Sequence, residues 1–169
     1  LDGLGRVLQS KTRVEPGPAV TRDAGDRVVT IDGAPVLGHA DQRWRVSGHA
    51  VLNNKQQVVR RYEPYFAPVP EFETDEELQR FGESTLSHYD PVGRLTRTDF
   101  PNGTLTRAEF TAWEVRELDP NDAVTGSAYE LLREALPGED EPEKQALRKA
   151  QAHANTATVT HVDPLGRAV

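Results

Sequence analysis

The stretch Tyr89-Asp90-Pro91-Val92-Gly93-Arg94-Leu95 decides the fold, because close copies of it begin at Leu1 and at Val162. The copies share an apolar or aromatic first residue, then Asp, any residue, an apolar residue, Gly and Arg. In such a stretch the Asp side chain accepts backbone N–H groups of a turn, Pro fixes the next φ, and Gly supplies a positive φ. The pattern therefore predicts a strand, a tight turn and a second strand.

Two degenerate copies lie between these three, at 52–58 and 118–124. The five copies start at residues 1, 52, 89, 118 and 162, and this irregular spacing suits a repeat that carries insertions. We predict that all five form strand–turn–strand corners and that their role is structural. The residues assigned to this structural repeat motif are Asp2, Gly5, Arg6, Tyr89, Asp90, Gly93, Arg94, Asp163, Gly166 and Arg167.

The dipeptide Asn102-Gly103 is the strongest hairpin signal in the chain. A two-residue turn at this point predicts a definite register between the flanking strands. Each face of the ribbon would then carry both apolar and polar side chains, as in a wide, wet sheet. The expected cross-strand pairs are Phe100 with Leu105, Leu95 with Phe110, and Thr98 with Arg107.

Helical periodicity occurs between the last two copies, over 127–136 and 141–154, with Tyr129, Leu132 and Leu136 at spacings of three and four. The fold class predicted is mainly β, an antiparallel sheet built from repeat hairpins with a short helical insertion. Four segments follow from this division: an N-terminal β-hairpin and loop segment at 1–42, a repeat sheet at 43–126, the helical insertion at 127–154 and a terminal repeat strand at 155–169.

The composition excludes several classes of protein. The 169 residues carry a net charge of −7, which disfavours a non-specific nucleic-acid binder. The chain has no Cys, so a disulfide scaffold, a thiolate zinc site and a Cys nucleophile are excluded. No run of 18 apolar residues indicates a membrane span. Because the chain has no Met and no apolar signal core, we expect a processed product or an excised fragment.

No pattern of residues predicts a catalytic, cofactor or metal site. The five His lack metalloprotease spacing, and no phosphate loop or Gly-x-Ser-x-Gly motif occurs. Asp119, Asn121 and Asp122 are like the start of a calcium loop, but Ala123 and Val124 follow where an EF-hand needs an oxygen ligand and Gly. An acidic run is interpreted as the solvated start of a short helix capped by Thr74. It contains Glu71, Glu73, Asp75, Glu76 and Glu77.

These motifs resemble the Rhs or YD-repeat family, named for a Tyr-Asp dipeptide that is present here as Tyr89-Asp90. Three blocks look more specifically like the B component of tripartite insecticidal (Tc) toxins and related virulence-plasmid B-type proteins. They run over 48–66, with Arg60-Arg61-Tyr62-Glu63-Pro64-Tyr65-Phe66; over 88–122, with Pro101-Asn102-Gly103-Thr104; and over 152–167, with Ala152-His153-Ala154-Asn155-Thr156.

The resemblance implies a structural role in a secreted toxin complex. In that family the B component and part of the C component wind a β-sheet into a hollow shell around the cytotoxic region of the C component. A β-propeller docks the shell onto the pore-forming A component. This chain would be a middle section of the shell, with the C and A components as protein partners, no nucleic acid, no cofactor and no membrane insertion.

Two alternatives from other classes stay open. A YD-repeat surface module for binding or adhesion would be recognised by a signal peptide and wall anchor in the full gene, and a small acidic hydrolase by a pocket with paired carboxylates. The shell interpretation also predicts that the fragment is not an enzyme. It further predicts either self-association through the sheet edges at 1–14 and 157–169, whose backbone groups would lack partners, or poorly ordered terminal strands.

Overall fold

The computed structural model describes residue 3 and residues 5–47, 49–74, 76, 79, 82–138 and 141–169. The chain divides into two compact units, residues 1–85 and residues 86–169, and the boundary falls within one strand. The division into four segments stays a prediction, because these units group residues by contact and not by repeat. None of the helices in the described residues is long and apolar enough to cross a membrane.

The first unit is built from short antiparallel strands. They are β1 (Ser10–Val14), β2 (Gly17–Val20), β3 (Thr30–Ile31), β4 (Ala34–Pro35), β5 (Leu37–Ala40), β6 (Arg43–Ser47), β7 (Ala50–Leu52), β8 (Val58–Tyr62) and β9 (Tyr65–Ala67). Strand β1 pairs with β6, β6 with β9, β2 with β5, β3 with β4 and β7 with β8.

The second unit is an antiparallel sheet in which consecutive strands are neighbours, in the order β10, β11, β12, β13, β14. Two helices lie between the last two strands. The elements are β10 (Ser84–Tyr89, which contains the boundary), β11 (Leu95–Asp99), β12 (Leu105–Phe110), β13 (Glu114–Leu118), α1 (Ala128–Glu134), α2 (Pro142–Gln151) and β14 (Thr158–His161). The prediction of a mainly antiparallel β fold with short helices is confirmed.

The predicted register of the β11–β12 hairpin is wrong by one residue. Asp99 pairs with Leu105, Thr98 with Thr106, and Arg97 with Arg107. The loop has three residues, since the Phe100 N–H donates to the Thr104 carbonyl at 2.9 Å and the Gly103 N–H donates to the Phe100 carbonyl at 3.0 Å. Gly103 has φ +84°, so the connection is a turn followed by a left-handed residue and not a two-residue turn.

The helices begin where local chemistry favours them. The Ser127 hydroxyl accepts the Glu130 N–H at 3.1 Å and caps α1, while the Glu130 carboxylate accepts the Gly126 N–H at 2.6 Å. Pro142 occupies the first turn of α2, where its missing N–H costs nothing. The buried apolar cluster of this unit is small: Leu105, Leu118 and Ala123, with Ala157 packed against it.

Deleting the helices is expected to leave a folded β protein, because the ends of the insertion are already joined. The Asp122 carbonyl accepts the Asn155 N–H at 2.9 Å, and the Asp122 carboxylate accepts the N–H of Thr156 at 3.2 Å as well as its hydroxyl. The buried cluster also lies outside the insertion. A Gly/Ser linker in place of 127–154 should therefore preserve the amide NMR shifts of β10–β13.

The matched control for this deletion is the same shortened chain carrying Asp122→Ala. That substitution removes the hydrogen bonds between the Asp122 carboxylate and Thr156, which join the two ends of the insertion. It should therefore lower the stability of the shortened chain more than that of the full chain. A shortened chain that gives a collapsed amide spectrum with Asp122 intact would show that the helices supply essential core.

Candidate functional site in the aspartate turns

The turn at Asp90 shows why the repeat contains these residue types. Oδ1 of Asp90 accepts the backbone N–H of Val92 at 3.0 Å and of Arg94 at 2.9 Å. The Asp90 N–H donates to the Arg94 carbonyl at 2.9 Å, and the Gly93 N–H donates to the Asp90 carbonyl at 3.0 Å. Gly93 has φ +93°, a left-handed conformation that only Gly adopts readily. A single carboxylate oxygen thus organises the whole turn.

The Arg of the motif holds the second oxygen of the same carboxylate. Arg94 Nε donates to Asp90 Oδ2 at 2.6 Å. The Arg94 guanidinium also lies over the Phe110 ring at 4.4 Å, which ties the β10–β11 turn to strand β12. Tyr89, the first residue of the motif, is half-buried on β10 and pairs with Leu95 at a bulge. The motif residues therefore make a structural element.

The same geometry recurs at the predicted copy that contains Asp163. Asp163 Oδ1 accepts the N–H groups of Leu165 and Arg167, both at 2.9 Å, and Arg167 Nε donates to Asp163 Oδ2 at 2.7 Å. Gly166 has φ +76°, and a bridge between Val162 and Ala168 closes the turn.

In the degenerate copy between β7 and β8, an amide replaces the carboxylate. Oδ1 of Asn53 accepts the N–H groups of Lys55 at 2.9 Å and Gln57 at 3.0 Å. Gln56 takes the left-handed position at φ +66°. An amide oxygen is therefore sufficient for the turn itself, although it cannot form the ion pair.

A further turn of this kind, at Asp23, was not among the predicted copies of the repeat. Oδ1 of Asp23 accepts the N–H groups of Gly25 at 2.8 Å and Arg27 at 3.0 Å, and Arg27 Nη2 lies 3.2 Å from Asp23 Oδ2. Asp26 occupies the left-handed position at φ +60° where the motif has Gly. The Asp and the Arg of the motif are both present, four residues apart. Asp26 stands in place of the Gly by which the other copies were recognised, so the sequence pattern did not include this turn.

The copy at 118–124 is not a strand–turn–strand corner, so that prediction is wrong. Oδ1 of Asp119 accepts the N–H groups of Asn121 at 2.7 Å and Asp122 at 3.0 Å, as in the other turns. The Asp119 N–H, however, donates to the Asp122 carboxylate at 3.2 Å and not to a returning strand. The Ala123 N–H then bonds to the Asp119 carbonyl at 2.9 Å, and the chain continues toward α1.

The N-terminal copy is only partly visible. Asp2 lies outside the described residues, as do Leu1 and Leu4. Gly5 has the left-handed φ of the motif, +80°, and Arg6 is half-buried. The strand that follows begins at Ser10. The role of Asp2 as a turn residue therefore stays a prediction.

Glu73 is buried, contrary to the interpretation of the acidic run as a solvated helix start. The residue is 1% exposed, and its carboxylate is hydrogen-bonded by Arg22 Nη2 and lies 3.5 Å from Lys11 Nζ. Lys11 Nζ also donates to the Val69 carbonyl at 3.2 Å. The helix predicted to begin at Thr74 falls largely outside the described residues. Sequence alone offered no signal for this cluster, because the two cations lie far away in the chain.

Potential metal ligands are not grouped in the described part of the chain. No three His, Asp or Glu side chains there converge as ligands for a metal ion. The oxygens of Asp119 and Asp122 are engaged by backbone N–H groups and by Thr156. What these carboxylates do is fix backbone geometry.

Solved structures of toxin complexes match the whole chain. A crystal structure of TcdB2–TccC3–Cdc42 aligns over 100% of this chain and 7% of that chain, with a TM-score of 0.76 and 25% identity. TcdB2–TccC3 gives 0.72 and 26%, and the Photorhabdus luminescens Tc holotoxin pore with a TccC3 mutation gives 0.74 and 26%, each with the same coverage. No protein-family model and no curated protein matches.

The chain resembles the Rhs shell of Tc toxins. It spans 7% of the length of the chains that it matches, so it corresponds to a small part of such a shell. In the turns at Asp90 and Asp163, the carboxylates organise the backbone beside the strands of this sheet through hydrogen bonds to backbone N–H groups.

The carboxyls of these shell-type turns are held in the ionised form. Hydrogen bonds from the side chain and backbone of Arg167 lower the pKa of Asp163. Burial acts to raise the pKa of Asp90, but the hydrogen bonds from the backbone and side chain of Arg94 outweigh it, so that the pKa is also lowered. The backbone N–H of Arg27 is the main cause that lowers the pKa of Asp23.

The stability that these turns contribute is expected to be lost in acid. A carboxyl whose pKa is lower in the folded state contributes stability that is present above its ordinary value, near 3.8, and lost as the pH falls through the folded value. We expect Asp90→Asn to keep the turn, as Asn53 does, and to remove this dependence. Urea unfolding of both proteins at pH 2–7 measures it.

The difference between the parent and Asp90→Asn should be constant near neutral pH and shrink below pH 3.8, the ordinary value for this group. Asp90→Ala, which also removes the two backbone hydrogen bonds to Oδ1, should be less stable than Asp90→Asn at every pH. A difference between the parent and Asp90→Asn that does not change with pH would show that ionisation of Asp90 does not support the turn.

Proposed function

We propose that this chain is a structural segment of a YD-repeat β-shell that encapsulates the cytotoxic region of a bacterial toxin complex. The observation that carries the proposal is the alignment of the whole chain, at a TM-score of 0.76, with a TcdB2–TccC3 complex. By the same resemblance the complex is secreted and insecticidal. The partners are a C-type component, whose toxic region is enclosed, and a pore-forming A-type component.

The packing of the chain suits a wall better than an enzyme. The buried apolar cluster of the second unit contains three residues, and its strands are lined mostly by half-buried and exposed side chains. A thin sheet of this kind buries little apolar surface on its own. In this proposal it is stabilised by its hydrogen-bonded turns and by neighbouring strands of the shell. The segment acts in this proposal as part of a container, with no catalytic role.

Open sheet edges offer the means of joining neighbouring parts of the wall. Within the described residues β1 lies at one edge of the order β1, β6, β9, and β14 lies at the edge beside β13. Unpaired N–H and C=O groups on an edge strand pair readily with another strand. In the shell these edges would continue into flanking strands, and the isolated chain would self-associate through them.

The test uses the product of the complete open reading frame that contains this chain. Electron cryomicroscopy of that protein, purified alone and with its C-type partner, should show a hollow shell with this sheet in its wall. Limited proteolysis should leave the enclosed region of the partner intact until the shell is denatured. An extended or solid particle that binds cells and protects no partner would instead support the adhesion module and overturn the proposal.

A further inference from the structure

The tip of the β11–β12 hairpin carries a chemically labile pair of residues, Asn102 and Gly103. Asn is one of the thermally labile residue types, and a following Gly favours its deamidation because Gly has no side chain to obstruct the backbone nitrogen. The other four Asn of the chain are followed by Asn, Lys, Asp and Thr. The hairpin tip is therefore the position at which deamidation of this chain would be fastest.

Deamidation at this pair joins the side chain of Asn102 to the backbone. The Gly103 nitrogen loses its proton and attacks Cγ of Asn102, a C–N bond forms, and the side-chain amide group leaves as ammonia. The product is a five-membered cyclic imide. Water then adds to one of the two imide carbonyls and opens the ring, which leaves either Asp or isoaspartate at position 102. The only co-reactant is water.

The turn engages both groups that must react. The Gly103 N–H donates to the Phe100 carbonyl at 3.0 Å. The Asn102 side chain is held as well, because its Oδ1 accepts the Thr104 N–H at 3.1 Å and the Thr104 hydroxyl at 2.7 Å. The imide has no N–H at residue 103, so the hydrogen bond from Gly103 to Phe100 must break before the ring can close.

The start of α1 holds the same glycine through its carbonyl. The Tyr129 N–H donates to the Gly103 carbonyl at 2.9 Å. Tyr129 lies in the first turn of α1, where N–H groups have no partner within the helix. A Cβ placed at Gly103 would lie 2.7 Å from the Tyr129 nitrogen, so the Gly103 backbone has little room to rotate. Rotation of Gly103 toward the Asn102 side chain therefore requires the hairpin tip to separate from α1.

We propose that Asn102 is a site of spontaneous deamidation and that the contact between the hairpin tip and α1 protects it. While the contact is intact, Asn102 keeps its amide. When the tip opens, Gly103 can react, and the rate follows the population of the open form. Isoaspartate adds one carbon to the backbone, so the three-residue loop loses the length that places Gly103 beside Tyr129. The modification therefore marks, irreversibly, chains in which the tip has opened.

Peptide mapping by mass spectrometry tests the proposal on the product of the complete open reading frame. Trypsin cleaves after Arg97 and Arg107 and releases peptide 98–107, which contains Asn102 as its single Asn and has no Gln. Folded protein, and protein unfolded in guanidinium chloride, are kept at the same mildly alkaline pH and sampled over time. Asn102 should deamidate roughly tenfold or more slowly in the folded protein. Equal rates in the two samples would overturn the proposal.

Hydrogen exchange of the Gly103 amide measures the same opening independently, because exchange and deamidation both require this N–H to leave the Phe100 carbonyl. The factor by which folding slows deamidation should match the factor by which folding slows exchange at Gly103, within about threefold. A larger mismatch in either direction would show that the opening of this turn does not control the reaction, and the proposal would fail.

Two substitutions at Tyr129 test the contribution of α1. Tyr129→Pro removes the N–H that Gly103 accepts, within a first helical turn where Pro is tolerated, whereas Tyr129→Ala removes the same ring and keeps the N–H. Deamidation of Asn102 in the folded protein should be roughly threefold or more faster in Tyr129→Pro, the effect of losing one hydrogen bond. Equal rates in the two folded variants would show that α1 does not protect the site. If Tyr129→Pro does not fold, the comparison of exchange with deamidation in the parent protein decides.

Discussion

Replacing Glu73 with Ala is expected to lower the free energy of unfolding by about 3–5 kcal/mol, the usual loss when one partner of a buried ion pair is removed. The side chains of Lys11, Arg22 and Glu73 are 8%, 7% and 2% exposed. Without the carboxylate, two cations stay buried beside each other, and Nη2 of Arg22 loses the Glu73 acceptor while Nη1 still donates to the Asp26 carbonyl. Urea unfolding of the full chain, followed by circular dichroism, measures the loss.

Two further variants separate charge from packing. Glu73→Gln keeps the shape and an acceptor for Arg22, so it should cost less than Glu73→Ala. The triple variant with Lys11→Met, Arg22→Met and Glu73→Leu removes every charge together, and buried ion pairs replaced in this way often leave stability unchanged or improved. If Glu73→Ala lowered the free energy of unfolding by less than about 0.5 kcal/mol, the effect would be that of an ordinary surface substitution. That result would contradict a buried ion pair at Glu73.

The contribution of this cluster to stability should also change with pH, in the opposite direction to the contribution of the aspartate turns. Burial raises the pKa of Glu73, although the charges of Lys11 and Arg22 act to lower it. Burial also lowers the pKa of Lys11, although the charge of Glu73 acts to raise it. A carboxyl with a raised folded pKa takes up its proton more readily in the folded state, so its contribution to stability improves as the pH falls toward 4.5. Urea unfolding between pH 4 and pH 7 should therefore show that the contribution of Glu73 to stability increases as the pH falls.

Gly103→Ala is expected to lower the free energy of unfolding by about 2–5 kcal/mol, from two additive causes. A left-handed backbone costs a side-chain-bearing residue about 1–2 kcal/mol, and φ at Gly103 is +84°. A Cβ at this position would also lie 2.7 Å from the Tyr129 backbone nitrogen, and overpacking typically costs about 1–3 kcal/mol. The Tyr129 N–H donates to the Gly103 carbonyl at 2.9 Å, so the hairpin tip and the start of α1 must separate.

Gly166→Ala is the matched control, because Gly166 has φ +76° and a Cβ there would meet nothing within 4 Å. It should show only the backbone part of the loss, about 1–2 kcal/mol. Hydrogen exchange of the Tyr129 amide should accelerate in Gly103→Ala and stay unchanged in Gly166→Ala. Equal losses of stability in the two variants would mean that the contact with α1 contributes nothing.

The sequence determined the features that depend on neighbouring residues. The turns at Asp90 and Asp163 were predictable because one carboxylate binds N–H groups two and four residues ahead, within the motif itself. The α1 cap at Ser127 and the mainly antiparallel β fold are local in the same sense. The shell resemblance rested on the motif residues and on the three blocks at 48–66, 88–122 and 152–167, which can likewise be recognised from the sequence alone.

Only the tertiary structure decided the features that depend on distant partners. Glu73 meets Arg22 across 51 positions of the chain, so an acidic run that suggested a solvated surface became a buried ion pair. At Asp119 the same turn chemistry leads toward a helix, because Asp122 is bound by Thr156, 34 positions further on. The β11–β12 register moved by one residue, so that Thr98 pairs with Thr106 and not with Arg107. Hydrogen bonds within a few residues can be predicted from the motif, whereas burial and register depend on which distant segments pack together.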